Sequence, residues 1–259
     1  MVVDDYDRVE TGSYNLTLLQ IGGSLIAPFP DADQDGGGIL SGETLSGQLS
    51  TPSDLDGFSF EGMRGRRVRI TLTRTSGDFC PDVQLYPPGG GRWICADSCD
   101  FGSAAAELDC ELTDGGTWTI VVDDYDRVET GDYNLTILQI GGSLVAPFPE
   151  PDRDGGGIVS GQTLGGQVGA PSDLDGFSFQ GAAGQRVRVT LTRTSSDFCP
   201  DVQLYPPGGG GWICADSCDF GSPAAEIDCE LTASGTWTIV VDDYDRVETG
   251  DYNVSLQQF

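Results

Sequence analysis

The chain repeats itself every 119 residues. VVDDYDRVETG begins at Val2, again at Val121 and again at Val240, and residues 2–120 align with 121–239 without a gap, differing at 23 of 119 positions. The last 20 residues, 240–259, open the unit a third time. Whatever one unit folds into is therefore built at least twice, and a unit of roughly 100 residues buries a useful but modest core.

The sequence period need not begin where the folding unit begins. GTWTIVVDDYDRVETGDYNLTILQI reads as two strands around an acidic loop, and the Gly/Pro/Asp-rich stretch after it reads as a linker. This register places complete domains at 39–140 and 158–259, joined by an acidic linker at 141–157. Residues 1–21 become the terminal strand pair of a preceding or intermolecular repeat, followed by an acidic Gly/Pro linker at 22–38. Tyr14, Leu16 and Leu18 form one alternating face, as do Tyr133, Leu135 and Ile137 and also Tyr252, Val254 and Leu256, so each copy expects a core beneath it. A lone hairpin is marginal in water. The first copy must pack on its own chain, pair with another molecule or stay disordered, and pairing with another molecule would propagate head-to-tail.

Short alternating segments run through the unit, expected as strands at 44–50, 57–61, 67–73, 82–87, 92–95, 105–112, 117–122 and 132–139. Val68, Ile70 and Leu72 alternate with Arg67, Arg69 and Thr71, while Trp118, Ile120 and Val122 share another face. Strands at this spacing, punctuated by glycine and proline, predict an all-β chain of tandem antiparallel β-sandwich or jelly-roll domains. The runs Gly36–Gly38 and Gly89–Gly91 read as turns, because neither is followed by a P-loop lysine nor opens a βαβ unit.

Composition removes several functions. The net charge is −28, with 41 acidic residues against 13 basic ones, all arginine, and no histidine. Nucleic acid is excluded as a partner, since its recognition needs clustered cations. Without imidazole there is no histidine triad and no His-ligated zinc or haem, and no serine lies in a Gly-x-Ser-x-Gly turn. Many carboxylates are present, but nothing selects a pair for glycoside hydrolysis. The reading is non-enzymatic, with no catalytic residue and no cofactor beyond a candidate structural calcium. Membrane insertion is not expected, since no apolar run reaches the length of a spanning helix.

SDLDGFSFEGMRGRRVRITLTRTSGDFCPDVQLYPPGGG, followed beyond a cysteine-rich loop by GTWTIVVDDYDRVETGDYNLTI, resembles the bacterial pre-peptidase C-terminal (PPC) domain family. The matching positions are Asp56, Phe58, Phe60, Gly65 and Val68, then Gly116, Trp118, Gly131 and Tyr133, with tryptophan where the ending motif more commonly has tyrosine. The resemblance covers most of each unit and implies a compact extracellular β-sandwich, often an accessory domain beside a secreted hydrolase. Four cysteines per unit, and the lack of an accompanying peptidase, depart from that pattern.

Cys80, Cys95, Cys99 and Cys110 recur as Cys199, Cys214, Cys218 and Cys229. Two disulfides per unit are expected, with Cys95 to Cys99 and Cys80 to Cys110 favoured among three connectivities, in an oxidising extracellular or cell-surface setting. One close cysteine pair per unit is poor spacing for a four-thiolate metal site.

Asp31, Asp33 and Asp35, and Glu150, Asp152 and Asp154, precede glycine runs with the alternating oxygens of a calcium loop, but Gly42 and Gly161 stand where its twelfth-position glutamate belongs. Asp123, Asp124, Asp126 and Glu129 form a second candidate cluster, repeated at Asp4, Asp5, Asp7 and Glu10 and at Asp242, Asp243, Asp245 and Glu248. The competing reading of both is solvated acidic loop. Asn15, Asn134 and Asn253 sit in sequons on the strand face opposite Tyr/Leu/Val and are candidate glycosylation sites. Trp93 and Trp212, with Asp97 and Asp100 or Asp216 and Asp219 nearby, are the candidate sugar-stacking residues, in competition with turn packing.

The resulting expectation is an extracellular structural repeat protein that self-associates head-to-tail into a fibre or surface stalk. The alternative is an accessory carbohydrate-binding or adhesion module with glycans as partners.

Overall fold

A computed structural model describes residues 12–23, 35–99, 102–142, 154–218 and 221–259. The first module runs β1 (Gly36–Gly38), β2 (Glu43–Leu49), β3 (Asp56–Gly62), β4 (Arg67–Arg74), β5 (Pro81–Tyr86), β6 (Cys95–Ser98), β7 (Ala105–Glu111), β8 (Gly116–Asp124) and β9 (Gly131–Ile140). The second repeats it as β10 (Gly155–Gly157), β11 (Thr163–Val168), β12 (Asp175–Gly181), β13 (Arg186–Arg193), β14 (Pro200–Tyr205), β15 (Cys214–Ser217), β16 (Ala224–Glu230), β17 (Gly235–Asp243) and β18 (Gly250–Gln258). Each module stacks a five-stranded sheet, β1-β3-β8-β5-β6 or β10-β12-β17-β14-β15, on a four-stranded one, β2-β9-β4-β7 or β11-β18-β13-β16. The fold is all-β, built of two similarly arranged sandwiches.

The pleat explains the core. Val68, Ile70 and Leu72 of β4, Leu135 and Ile137 of β9 and Trp118, Ile120 and Val122 of β8 are buried together between the sheets. The expected alternation is thus the inner face. Tyr133 lies in the same core, and its hydroxyl donates to Asp56 Oδ2 at 2.6 Å, which satisfies a buried phenol. The ring crosses β2 at Gly47, where a Cβ would stand 2.4 Å from its atoms. Leucine or serine there would push Tyr133 out of the core.

Two local expectations are corrected. Gly36–Gly38, read as turn and linker, is a short strand pairing parallel with β3. The disulfides are Cys80–Cys99 and Cys95–Cys110, repeated as Cys199–Cys218 and Cys214–Cys229. The pairing of Cys95 with Cys99 fails because Cys95–Ser98 is β6, hydrogen-bonded to β5 with Leu85 opposite Cys95 and Asp82 opposite Ser98. An extended strand holds Cys95 and Cys99 apart. Cys95 instead reaches Cys110 of β7 across the sandwich edge, and Cys99 reaches Cys80 ahead of β5, its neighbour in the same sheet. Four disulfides belong to an oxidising, extracytoplasmic setting. No helix long and apolar enough to cross a membrane occurs among the described residues.

Candidate functional site

The outer face of the β4/β9 sheet is where sequence and structure part. Arg69, Thr71, Thr73 and Thr136 point away from the core of the first module, yet all four are completely buried. They are covered by the second module, so the site is a joint between repeats. Its apolar centre is Leu138 and Ile140 of β9 against Leu174, Tyr205 and Val240.

Polar groups surround that centre. Arg69 Nη2 donates to Asp242 Oδ2 at 2.7 Å and to Glu107 Oε2 at 3.0 Å, and its Nη1 donates to Gln203 Oε1. Gln203 is held for this role by Asp201, which accepts from its Nε2 at 3.0 Å, and by Tyr205, whose hydroxyl donates to Oε1 at 2.8 Å. The same hydroxyl lies 3.2 Å from Asp109 Oδ2 across the joint, so its one proton is shared between the two acceptors. Arg246 of the second module pairs with Glu107 of the first. Thr71 Oγ1 donates to the Ser172 carbonyl at 2.6 Å and Thr73 Oγ1 to the Arg246 carbonyl at 3.0 Å. The backbones close tightly beside Gly209, where a Cβ would lie 2.3 Å from the Gly65 carbonyl oxygen.

Charge and burial act together here. Burial works against the Arg69 guanidinium, but the carboxylates of Asp242 and Glu107 more than offset it and hold the group protonated well above its ordinary range. Burial also pushes Asp242 upward, opposed chiefly by Arg69. Because arginine does not deprotonate in proteins, removing Asp242 from this 2.7 Å salt bridge strands a buried cation. Burial likewise raises Tyr205, keeping its phenol a donor.

Asn134 belongs to this joint as well. It was expected to face solvent, and it does face away from the core, but its Nδ2 donates to the Pro171 carbonyl at 3.2 Å and the residue is only 8% exposed. A glycan on that nitrogen is incompatible with the joint. Asn15 and Asn253 are exposed, and Asn15 Nδ2 donates to the Pro52 carbonyl at 3.1 Å.

The other candidates are spread through the fold. Asp31, Asp33, Glu150 and Asp152 lie outside the described residues, as do Asp4, Asp5, Asp7, Glu10, Asp100 and Asp219. Asp35 and Asp154 accept from the Gln48 and Gln167 amides and so tie the segment before β1 and β10 to the neighbouring strand. Asp124 caps the turn after β8, accepting from the amides of Cys80, Val128 and Glu129, and Asp126 is exposed. Among the described residues no group of three or more Asp, Glu or Cys side chains is placed to hold a metal ion. Trp93 and Trp212 are exposed, with the Arg92 guanidinium 5.1 Å from the Trp93 ring. Asp97 and Asp216, expected beside them as sugar-binding groups, accept from the Glu107 and Glu226 amides. An open cleft of about 360 Å³ at the rim of the joint is lined by Asp97, Glu107, Tyr244 and Arg246, among others, and by neither tryptophan.

Sequence reasoning missed Arg69, Gln203 and Tyr205, and placed Asp242 in a candidate calcium cluster rather than opposite an arginine. One signal was available. β9 ends with apolar residues on both faces, Leu135 and Ile137 inward and Leu138 and Ile140 outward, which is the pattern of a strand covered on both sides.

Comparison with protein families and with curated proteins gives no match. Among solved structures, PliG of Aeromonas hydrophila, a periplasmic inhibitor of g-type lysozyme, is 18% identical with a TM-score of 0.33, covering 41% of this chain and 96% of that one. The pre-peptidase C-terminal domain of collagenase from Bacillus anthracis is 16% identical with a TM-score of 0.34, covering 43% and 99%. The PBSX exported protein XepA is 8% identical with a TM-score of 0.28, covering 82% and 86%. These are distant, partial resemblances to PPC-domain and lysozyme-inhibitor-like β folds, and at this level they carry no argument about activity.

Proposed function

We propose that this chain is a non-catalytic, extracytoplasmic accessory module in which tandem β-sandwiches are locked in one pose and serve as a rigid structural segment of a surface stalk. The observation that supports this reading is the Arg69–Asp242 pair, fully buried between the repeats. Linked domains ordinarily move against each other unless their interface is large and apolar. A buried ion pair beside an apolar patch tolerates no such motion, because any opening that admits no water strands the charges and any shear breaks the Gln203 and Glu107 bonds. Small-angle scattering of the full chain tests it. Rigidity predicts one pose at low and high salt for the native chain and a broadened distribution of lengths for Arg69→Ala. Scattering from the native chain that requires freely jointed modules would refute the reading.

A second reading is a carbohydrate-binding or adhesion module. It is favoured by the exposed tryptophan at the same position of each repeat, Trp93 and Trp212. Tryptophan fluorescence titrated with bacterial and plant polysaccharides, compared with Trp93→Ala and Trp212→Ala, separates it from the first.

A further inference from the structure

The joint has two dissimilar halves, and each repeat carries both. The first half is the outer face of the four-stranded sheet, centred on Arg69; its counterpart in the second module is centred on Arg188. The second half is the socket of Asp201, Gln203, Tyr205 and Asp242; its counterpart in the first module is Asp82, Gln84, Tyr86 and Asp123, residue for residue identical. Among the described residues one Arg face meets one socket. Arg188 is left with 44% of its side chain exposed, paired to Glu226 and Asp228 of its own sheet, where Arg69 has none exposed. Tyr86 and Gln84 are half-buried where Tyr205 and Gln203 are buried.

The vacant socket is already built. Gln84 Nε2 donates to Asp82 at 3.0 Å and Tyr86 to Gln84 Oε1 at 2.7 Å, the same two bonds that present Gln203 to Arg69. Residues 12–23 mark how it is docked. Asn15 donates to the Pro52 carbonyl as Asn134 does to the Pro171 carbonyl, and Gly22 lies against Gly90 as Gly141 lies against Gly209. Each pair is displaced by one period of 119. The segment therefore lies on the first module in the register in which β9 lies on the second. It leaves Tyr14, Leu16 and Leu18, the residues that face the core in β9, 67%, 55% and 80% exposed.

We infer that the Asp82–Gln84–Tyr86–Asp123 socket of the first module is a docking surface for a second copy of this repeat, which presents the Arg188 face of its second module. This deepens the structural reading above and rests on it. The complementarity is the one already seen inside the chain, an arginine entering an acidic socket, and the interface is heterologous, so it extends rather than closes. The incoming β18 takes the lane now held by residues 12–21 and displaces them, with Asn253 replacing Asn15 on Pro52. Three outward residues differ from those of β9: Ser255 stands for Thr136, Gln257 for Leu138 and Phe259, just past β18, for Ile140. The loss of an apolar anchor at Gln257 makes the contact between chains weaker than the joint within one.

Sedimentation velocity of the full chain over a concentration series provides the test. The native chain should associate with rising concentration. Gln257→Leu should tighten association about tenfold. Arg188→Glu should weaken it about a hundredfold, as should Asp123→Arg, while an equimolar mixture of those two variants should form dimers through the intact Arg188 and Asp123 that each still carries. Native and Gln257→Leu chains that both remain monomers up to roughly 1 mM, or association untouched by Arg188→Glu, would overturn the inference. Scattering from the Arg188→Glu monomer keeps the two readings apart: a fixed pose there, with native and Gln257→Leu chains both monomeric up to roughly 1 mM, sinks the docking alone, and a flexible pose sinks the rigid segment.

Discussion

Arg69 and Arg188 occupy the same position of two nearly identical repeats, and their surroundings share only the sheet glutamate, Glu107 or Glu226. Arg69 is sealed between modules with Asp242, Glu107 and Gln203, while Arg188 lies along its own sheet beside Glu226 and Asp228. The partners adjust too. Where Arg69 fills the socket, Arg246 stands 4.0 Å from Asp242 and turns to Glu107; where no arginine arrives, Arg127 closes on Asp123 at 3.2 Å. Identical sequence gives a buried network in one place and a wet surface in the other. The environment of a residue in such a chain is set by its neighbour in the array as much as by its own repeat.

The largest effect should separate those two arginines. Arg69→Ala leaves Asp242 buried without its cation and is expected to cost about 3–5 kcal/mol of joint stability. Arg188→Ala removes an exposed pair and is expected to cost under about 1 kcal/mol. Hydrogen exchange of the β14 and β17 amides reads the joint directly, and equal loss of protection in both variants would abolish the distinction.

Leu138 and Gln257 sharpen the same comparison. Truncating Leu138 to alanine opens a cavity against Leu174, Tyr205 and Val240 and should cost about 2–3 kcal/mol. Gln257→Ala, on the exposed counterpart, should stay within about 0.5 kcal/mol. Urea unfolding of both variants beside the native chain decides it.

What was legible follows from this. The alternation of Val68, Ile70 and Leu72 identified an inner face, and strands expected at 67–73, 105–112 and 132–139 are β4, β7 and β9 to within a residue or two. Period two says which side chains share a face. It does not say what covers the other face, so Arg69 and Asn134 read as solvent-facing when their cover is another module. The strand expected at 92–95 lies at Cys95–Ser98 as β6, so Cys95 and Cys99 are held apart by an extended strand, where the favoured pairing needs a local loop. Asp35, Asp154, Asp124 and Asp243, read as members of candidate calcium clusters, accept from backbone amides as strand ties and turn caps, because a carboxylate beside a turn finds backbone amides as readily as a cation.

The glycines beside the joint give a smaller contrast. Gly209 and Gly90 share a left-handed backbone, φ +81° and +80°, so alanine strains both by about 1 kcal/mol. At Gly209 the new Cβ also meets the Gly65 carbonyl oxygen at 2.3 Å, whereas at Gly90 the nearest atom is the Ile21 oxygen at 3.4 Å. Gly209→Ala should therefore be worse by a further 1–2 kcal/mol or so in thermal unfolding. Equal losses would mean that the modules touch less closely at Gly209 than the backbone indicates.

The smallest effect is a pH dependence confined to the vacant socket. Burial, with Asp82 beside it, pushes the Asp123 carboxyl up to about 7, against the pull of Arg127. A carboxyl with a raised folded value binds its proton more tightly when folded. Its contribution to stability is present below the unfolded value near 4 and is lost as pH rises through about 7. Linkage over that interval sets an upper bound of about 4 kcal/mol, and solvent screening that reaches Asp123 past the half-exposed Arg127 reduces it to about 1–2. Asp123→Asn removes the titration, so its melting temperature should gain on the native chain between pH 5 and roughly pH 8. Asp242→Asn behaves oppositely, because it deprives Arg69 of a counter-ion and should lower stability at both ends of the range. Parallel curves for Asp123→Asn and the native chain would mean that Arg127 already neutralises Asp123 as fully as Arg69 neutralises Asp242, and the two sockets would then differ in burial but not in charge.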